Sequence, residues 1–335
     1  MEDLADRLRG PVDGMVCVSH HRTGWSRGVH LVWTAVLRRR DYDLAVVDLY
    51  SGRAFLWGEV AAGLLRALGC PFVFVLRGGG LPAFAQRHPG RMRRCLRKAD
   101  AVIVPSPFLL ERMRPYRDDL QMLPNALDIP RYHFRLRAPP QPKLMWLRAF
   151  QKHYNPTVAA KVLARLLPEF PGLHLSMVGP DKGDGTWQQL ERTARELGVA
   201  THLSLPGGVA KQDVPGWLNR GDIFLNTTDV DNTPVSVLEA MACGLCVVST
   251  DVGGTPYLVE HEREGLLVPR DDPAAMADAV RRLLRERELA ARVSQNGRNK
   301  VEQFDWTLVM PQWEALLSSL GRTPQGPRRL DGGPC

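Results

Sequence analysis

The chemistry this sequence could do gathers around two carboxylates and one helix start. In GDIFLNTTDVDNTPVSVLEAMACGLCVVSTDVGGTPYLVEHEREGLLVP, residues 221–269, Asp231 precedes a predicted helix over 234–243 and Glu239 lies inside it. Thr233 and Pro234 read as N-cap and first helical residue, since a hydroxyl accepts from first-turn amides and proline has no donor to lose there. The N–H groups of Val235, Ser236 and Val237 would then lack intrahelical partners and point back toward Asp231, which makes an anion site. Glu239 comes about five residues after the helix start, roughly 8 Å along the axis. A diphosphate on the amides, a sugar's hydroxyls on one acid and a ribose's on the other would fit that order. The alternative is a loop acid and a solvated helix residue. Against it, Glu239 sits in the apolar run VSVLEAMACGLCVV, where an unpartnered carboxylate is costly.

The elements that must position these groups alternate between strand and helix along the whole chain. In the first half, strands are predicted over 15–19, 42–49, 72–76, 101–104 and 124–128. Helices are predicted over 1–9, 24–39, up to 68, 81–97 and 107–114. In the second half, strands at 143–147, 173–178, 202–205, 222–226, 245–250 and 265–268 are separated by helices, including 155–169, 187–197 and 213–219. Helices over 272–290 and 293–303 follow. This βα rhythm predicts two Rossmann-like, doubly wound parallel sheets. Between residues 129 and 142 the periodicity dissolves into PRYHFRLRAPPQP, and its prolines mark an extended connector. The expected domains are therefore 1–136 and 143–305, with an apolar helix over 306–320, kinked at Pro311, returning to the first. A Gly-, Pro- and Arg-rich tail, 321–335, reads as disordered.

Further candidates lie at predicted strand ends, where ligands of open α/β sheets gather. Arg148 and Lys152, in LRAFQKHYNP, are placed to bind a diphosphate, or are two surface cations. Gly78, Gly79 and Gly80 would let backbone approach a ligand, or form a tight turn. The loop 178–185, VGPDKGDG, is Gly-rich but lacks the Gly-Lys-Ser/Thr triplet of a phosphate-cradling loop. His20 and His21 could serve an acceptor, although polar loop residues are the plainer reading.

The run DNTPVSVLEAMACGLCVVSTDVGG resembles the signature of the retaining glycosyltransferases of family 4, a Glu, seven residues, a second Glu, an Ala-Met-Ala-Cys-Gly run and a Gly-Gly loop. Asp231 takes the first Glu position, one methylene shorter, and Glu239 the second. The resemblance implies the two-domain GT-B fold, with both Rossmann-like domains facing a cleft, and a nucleotide-diphosphate-sugar donor. It implies Asp231 on the donor sugar, Glu239 on the ribose, and Arg148, Lys152 and the amides near Val235 on the diphosphate. It also implies that the turn at Gly208 holds the base. Relatives commonly carry His-Gly-Gly-Asn where this chain has Arg77-Gly78-Gly79-Gly80, so Arg77 would replace a His facing the scissile bond. Relatives also open with a strand and a Gly-rich loop. This chain begins at EDLADRL, so the first domain reads as shortened at its N-terminus. The activity implied is transfer of a sugar to an acceptor hydroxyl of a glycan, lipid or small molecule, with retention, no cofactor and no metal. The rivals are a degenerate, non-catalytic nucleotide-sugar-binding subunit and a sugar-nucleotide epimerase of the same fold.

Composition is that of a globular protein, 44% hydrophobic and 24% charged over 335 residues. The opening residues lack the apolar stretch of a secretory signal and no run is long enough to span a membrane, so a cytoplasmic protein is expected. A net charge of +8 favours anionic partners. The run RMRRCLRK, 91–98, reads either as a solvated helix or as one touching anionic lipid at the inner face of the membrane. Nucleic-acid binding has no supporting motif. The six cysteines are scattered. Cys243 and Cys246 spell CxxC, but with no second pair nearby they read as core packing rather than a redox or metal site.

Overall fold

Phe72 to Leu76 is an uninterrupted apolar run, and so is Ala101 to Val104. A strand of that kind needs cover on both faces, which a parallel sheet between helix layers provides. The computed structural model describes residues 2–8 and 24–320. The expected strand over 15–19, both histidines at 20 and 21, and the tail 321–335 lie outside the described residues. The chain divides into two units, Met1–Leu123 with Met310–Cys335, and Pro124–Val309.

The first unit holds a parallel sheet in the order β1 (Ala45–Leu49), β2 (Phe72–Leu76), β3 (Ala101–Val104), β4 (Gln121–Met122). Its core is built around Phe55, Phe72 and Phe74. The helix expected over 81–97 is two helices, Leu81–Arg87 and Pro89–Leu96. His88 between them sits at φ −132°, displaced from helical geometry by the proline that follows it.

The second unit's sheet has six parallel strands: β5 (Lys143–Leu147), β6 (His174–Val178), β7 (Leu203–Gly207), β8 (Ile223–Asn226), β9 (Cys246–Thr250) and β10 (Gly265–Val268). Their order, β10-β9-β8-β5-β6-β7, is doubly wound. The chain runs from β5 to one edge, returns beside β5 at β8, and runs to the other edge. Leu144 and Trp146 pack into one apolar cluster and Met145 and Leu147 into a second, so β5 is covered on both sides. The helix expected over 272–290 ends at Arg285, and a second helix, Arg287–Glu302, follows a break at Glu286. The break lets the first pack on the helix Pro156–Leu166 and the second on the helix Val235–Ala242.

The expected boundary at 136–143 is corrected by the structure, which divides the chain at Leu123. From Pro124 onward the supposed connector is bonded into the second unit. Leu127 N–H donates to Phe304 O at 2.8 Å, and Arg135 N–H to Cys243 O at 3.2 Å. Of the strand expected over 124–128, only an isolated bridge from Leu127 to Asp305 is present. Arg137 is wholly buried beside the equally buried Asp222. Its Nη2 donates to Gly221 O at 3.1 Å and to Asn219 Oδ1 at 3.3 Å, its Nη1 to the carbonyls of Arg135 and Cys243, and its Nε lies 3.4 Å from Asp222 Oδ1. A guanidinium enters a core only when its fork is filled in this way. Arg137→Met should destabilise the second unit by about 3 kcal/mol, because a buried pair loses one partner. A urea-unfolding midpoint equal to the wild type's would contradict it.

The helix Trp306–Leu320 runs through Pro311. Its residues up to Val309 group with the second unit and those from Met310 with the first. No helix among the described residues is long and apolar enough to cross a membrane.

Candidate active site

β5 and β8 lie side by side although they are the first and fourth strands of their sheet, so their following segments leave in opposite directions. That switch point opens a crevice at the carboxyl ends of the two strands. Arg148 follows β5 directly, and Asp231 sits on the loop that leaves β8. The two side chains form an ion pair between Arg148 Nη2 and Asp231 Oδ2, at 15% and 14% exposure. The sequence reading gives these residues separate ligands; the structure bonds them to each other. Asp231 Oδ1 also accepts from the Asn232 N–H at 2.7 Å. Arg148 stacks 4.7 Å from the centre of the Tyr154 ring, while its Nε is buried without a hydrogen-bond partner. A buried donor in that state costs about 1–3 kcal/mol, which an arriving anion would recover.

The helix after the loop starts one residue later than expected. Pro234 is the cap, at φ −69° and ψ 100°, and Val235 is the first helical residue of Val235–Ala242. Thr233 therefore lies outside the helix, ahead of the cap. Val237 N–H bonds to Pro234 O at 2.9 Å, so it is not one of the unpaired amides. The amides ahead of the first intrahelical bond are those of Val235 and Ser236. Ser236 Oγ is buried with no hydrogen-bond partner, and so is Thr255 Oγ1 on the short helix Thr255–Leu258.

The Gly-Gly loop explains how Asp231 is held. A Cβ on Gly253, at φ +56°, would lie 2.0 Å from Asp231 O, and one on Gly254 would lie 1.6 Å from Asn232 O. Gly254 N–H in turn donates to Asp231 O at 3.0 Å. The loop grips the acid's backbone at a distance that side chains forbid.

Glu239 is 8% exposed, and its Oε1 accepts from the Tyr132 hydroxyl at 2.8 Å. The cost of burying this carboxylate is thus met within the chain, by a residue of the stretch read as a connector. Lys152 lies on the loop after β5 with its side chain exposed and its N–H donating to Asp184 Oδ2 at 3.0 Å. The loops after β5, β6 and β7 are knitted together: Arg148 N–H to Val178 O at 3.1 Å, Phe150 N–H to Pro180 O at 2.9 Å, and Gly179 N–H to Gly207 O at 2.9 Å. Gly208 packs on Pro180, where a Cβ would sit 3.2 Å from the proline's own.

Residues 128–300 match the family model described as Glycosyl transferases group 1, and residues 4–131 match the one described as Glycosyltransferase Family 4. The chain belongs to the group 1 glycosyltransferases. A GDP-mannose-dependent alpha-(1-6)-phosphatidylinositol monomannoside mannosyltransferase of Mycobacterium tuberculosis is 28% identical over 224 residues, covering 60% of this chain and 54% of that protein. A D-inositol 3-phosphate glycosyltransferase of Saccharomonospora viridis is 33% identical over 159 residues, 45% of this chain and 36% of that one. The chain thus spans about half the length, or less, of these curated relatives. Sucrose-phosphate synthase from Thermosynechococcus elongatus superposes with a TM-score of 0.77 at 21% identity, over 92% of this chain and 81% of that one. The Anabaena protein HepE, in complex with UDP and glucose, gives 0.74 at 19%, over 90% and 85%. At these identities the likeness concerns the fold, two Rossmann-like domains.

In the first unit of this member of the group 1 family, Arg77 directly follows β2 and its Nε lies 3.0 Å from Asp48 Oδ1 of β1. The Arg77–Asp48 pair was not foreseen. Gly78 follows at φ +83°, which a side chain would strain, and Gly79 lies between it and the helix Leu81–Arg87. The basic run is partly engaged: Arg91 pairs with Glu59 and stacks 5.3 Å from the Phe55 ring, and Arg93 donates to Pro115 O at 3.3 Å. Arg94 and Arg97 are exposed. Cys243 and Cys246 belong to apolar clusters on opposite faces of the sheet, and burial pushes both thiols up to about 12. They stay protonated, as core residues do.

Sequence reasoning also passed over His153 and Tyr154. Burial lowers the His153 pKa, while Asp231 pulls it up and Arg148 pushes it down, so this imidazole feels both members of the ion pair. The signal available was their position beside Lys152 at a strand end.

Proposed function

We propose that this chain moves a sugar from a nucleoside diphosphate sugar to an acceptor hydroxyl, with retention at the anomeric carbon and without a metal. The observation that carries this reading is the set of donors at the β5–β8 switch point. There a partly exposed guanidinium with a buried, unpartnered Nε meets the loop into a helix whose first turn holds an unpartnered buried hydroxyl. Such donors suit a diphosphate.

In this reading the negative charge that grows on the diphosphate as the glycosidic bond breaks is countered by Arg148, the amides of Val235 and Ser236, and Lys152. Fixed donors of this kind do the work a divalent cation does elsewhere. Asp231, steadied by Gly253 and Gly254, takes the sugar's hydroxyls, and Glu239 takes the ribose. The leaving phosphate oxygen accepts the acceptor's proton, so no separate protein base is required. Gly208 lines the base. The names of the relatives, one GDP-mannose-dependent and one acting on an inositol phosphate, support a nucleotide-sugar donor and a polyol, glycan or lipid-linked acceptor. The exposed Arg94 and Arg97 suit peripheral contact with an anionic membrane, at about 1 kcal/mol per cation.

Incubating the purified chain with UDP- and GDP-sugars should release nucleoside diphosphate when an acceptor is supplied, at an undiminished rate in EDTA. Binding with no release would favour a non-catalytic subunit, and donor conversion without acceptor an epimerase. Loss in EDTA that magnesium restores would end the metal-free reading.

A further inference from the structure

Glu239 is held from a direction that donor recognition alone does not explain. Its Oε1 accepts from Tyr132 Oη at 2.8 Å, and Tyr132 is 5% exposed, packed with Leu127, Ile129, Val237 and Leu238. A phenylalanine would fill the same apolar space. The hydroxyl is the part that packing does not require.

Both ends of this hydrogen bond are anchored. Tyr132 N–H donates to Ile129 O at 2.9 Å, and Ile129 N–H to Asp305 Oδ2 at 3.2 Å. Arg298 Nη1 then reaches Tyr132 O at 3.3 Å and Ala242 O at 2.9 Å. Ala242 ends the helix that carries Glu239, so one guanidinium fastens the tyrosine's backbone to the glutamate's own helix. The terminal torsion of a glutamate is otherwise broad, with little to choose between carboxylate orientations.

We propose that Tyr132 is a positioning residue for nucleotide recognition: its hydroxyl fixes the plane of the Glu239 carboxylate so that the acid meets a ribose diol preorganised. This rests on the reading that Glu239 binds the ribose. A carboxylate that must first be oriented loses rotamer freedom on binding, and a buried donor that has already oriented it removes that loss.

The test compares UDP or GDP, whichever the wild-type chain binds more tightly, with its 2′-deoxy form and with inorganic pyrophosphate, by calorimetry on wild type and Tyr132→Phe. The wild type should favour the ribose form by tenfold or more. In Tyr132→Phe that preference should shrink by about three- to tenfold, the size of one typical net hydrogen bond, with pyrophosphate affinity unchanged. In a Glu239→Ala background the same tyrosine substitution should leave the preference where it was. A Tyr132→Phe chain that keeps the full wild-type preference overturns the proposal. So does one that loses pyrophosphate affinity in step with the nucleotide, since that marks a purely structural role. A wild type with no preference for the ribose form defeats the Glu239 assignment itself, and the proposal with it.

Discussion

Arg148→Ala is expected to lower kcat/KM for donor turnover by about 10²–10³, the range seen when one preorganised donor to a developing anion is removed. Two losses combine. The variant takes away the guanidinium whose buried Nε has no protein partner, and it leaves Asp231, only 14% exposed, without its ion-pair partner. A carboxylate deprived of its countercharge at that depth turns from a sugar ligand into a repulsive neighbour for a diphosphate. Arg148→Lys separates the two contributions. It keeps a positive charge near Asp231 but has neither the fork nor the Nε donor, so it should fall between wild type and alanine. Steady-state turnover and calorimetry with the nucleoside diphosphate measure both quantities. Wild-type values for the alanine variant would remove Arg148 from the site.

The second large effect is expected where no functional group is touched. Gly254→Ala adds one methyl group, yet its carbon would lie 1.6 Å from the Asn232 carbonyl oxygen, inside the 3.0 Å that real contacts respect. Backbone faces backbone there, so no flexible side chain can yield. Either the Gly-Gly loop or the Asp231–Asn232 segment must move, and a displacement on the order of 1 Å at a binding group can cost about 10²-fold in rate. The overpacking itself should cost roughly 1–3 kcal/mol of stability. Gly172→Ala is the control, because a Cβ there would meet nothing within 4 Å. Turnover and thermal midpoints of the two variants test the contrast. Gly254→Ala behaving like Gly172→Ala would mean that Asp231 is not held by this loop.

The parts of the molecule that were legible in the sequence are those governed by local pattern. Strands such as Phe72–Leu76 and Cys246–Thr250 are buried at every residue because both faces are covered, and the alternation of such runs with amphipathic helices spells out parallel sheets. Arg148 is legible by its place at a strand end, and Asp231 by its place ahead of a helix start. What the pattern could not convey is which groups meet. The bond between them joins residues on two strands separated by half of a domain, and Tyr132 reaches Glu239 from a stretch with no periodicity. In RYHFRLR, Arg137 is one more cation, since composition does not distinguish a solvated arginine from a buried one whose two Nη groups are filled by carbonyls and an amide oxygen. The helix breaks at His88 and Glu286 and the late start at Pro234 are single-residue events, set by a proline and by packing on separate neighbours.

The burial of Arg137 against Asp222 also bears on how such a protein can be divided between ancestors or recombined by design. A crossover at the prolines before Lys143 would pair Asp222 of one parent with whatever residue the other supplies at position 137, and Tyr132 would part from its Glu239 in the same cut. The heritable module is the one that begins at Pro124. Chimeras joined there keep Arg135 and Arg137 with Asp222 and Tyr132 with Glu239, whereas chimeras joined some twenty residues later inherit a nucleotide-binding half with those internal contacts left behind.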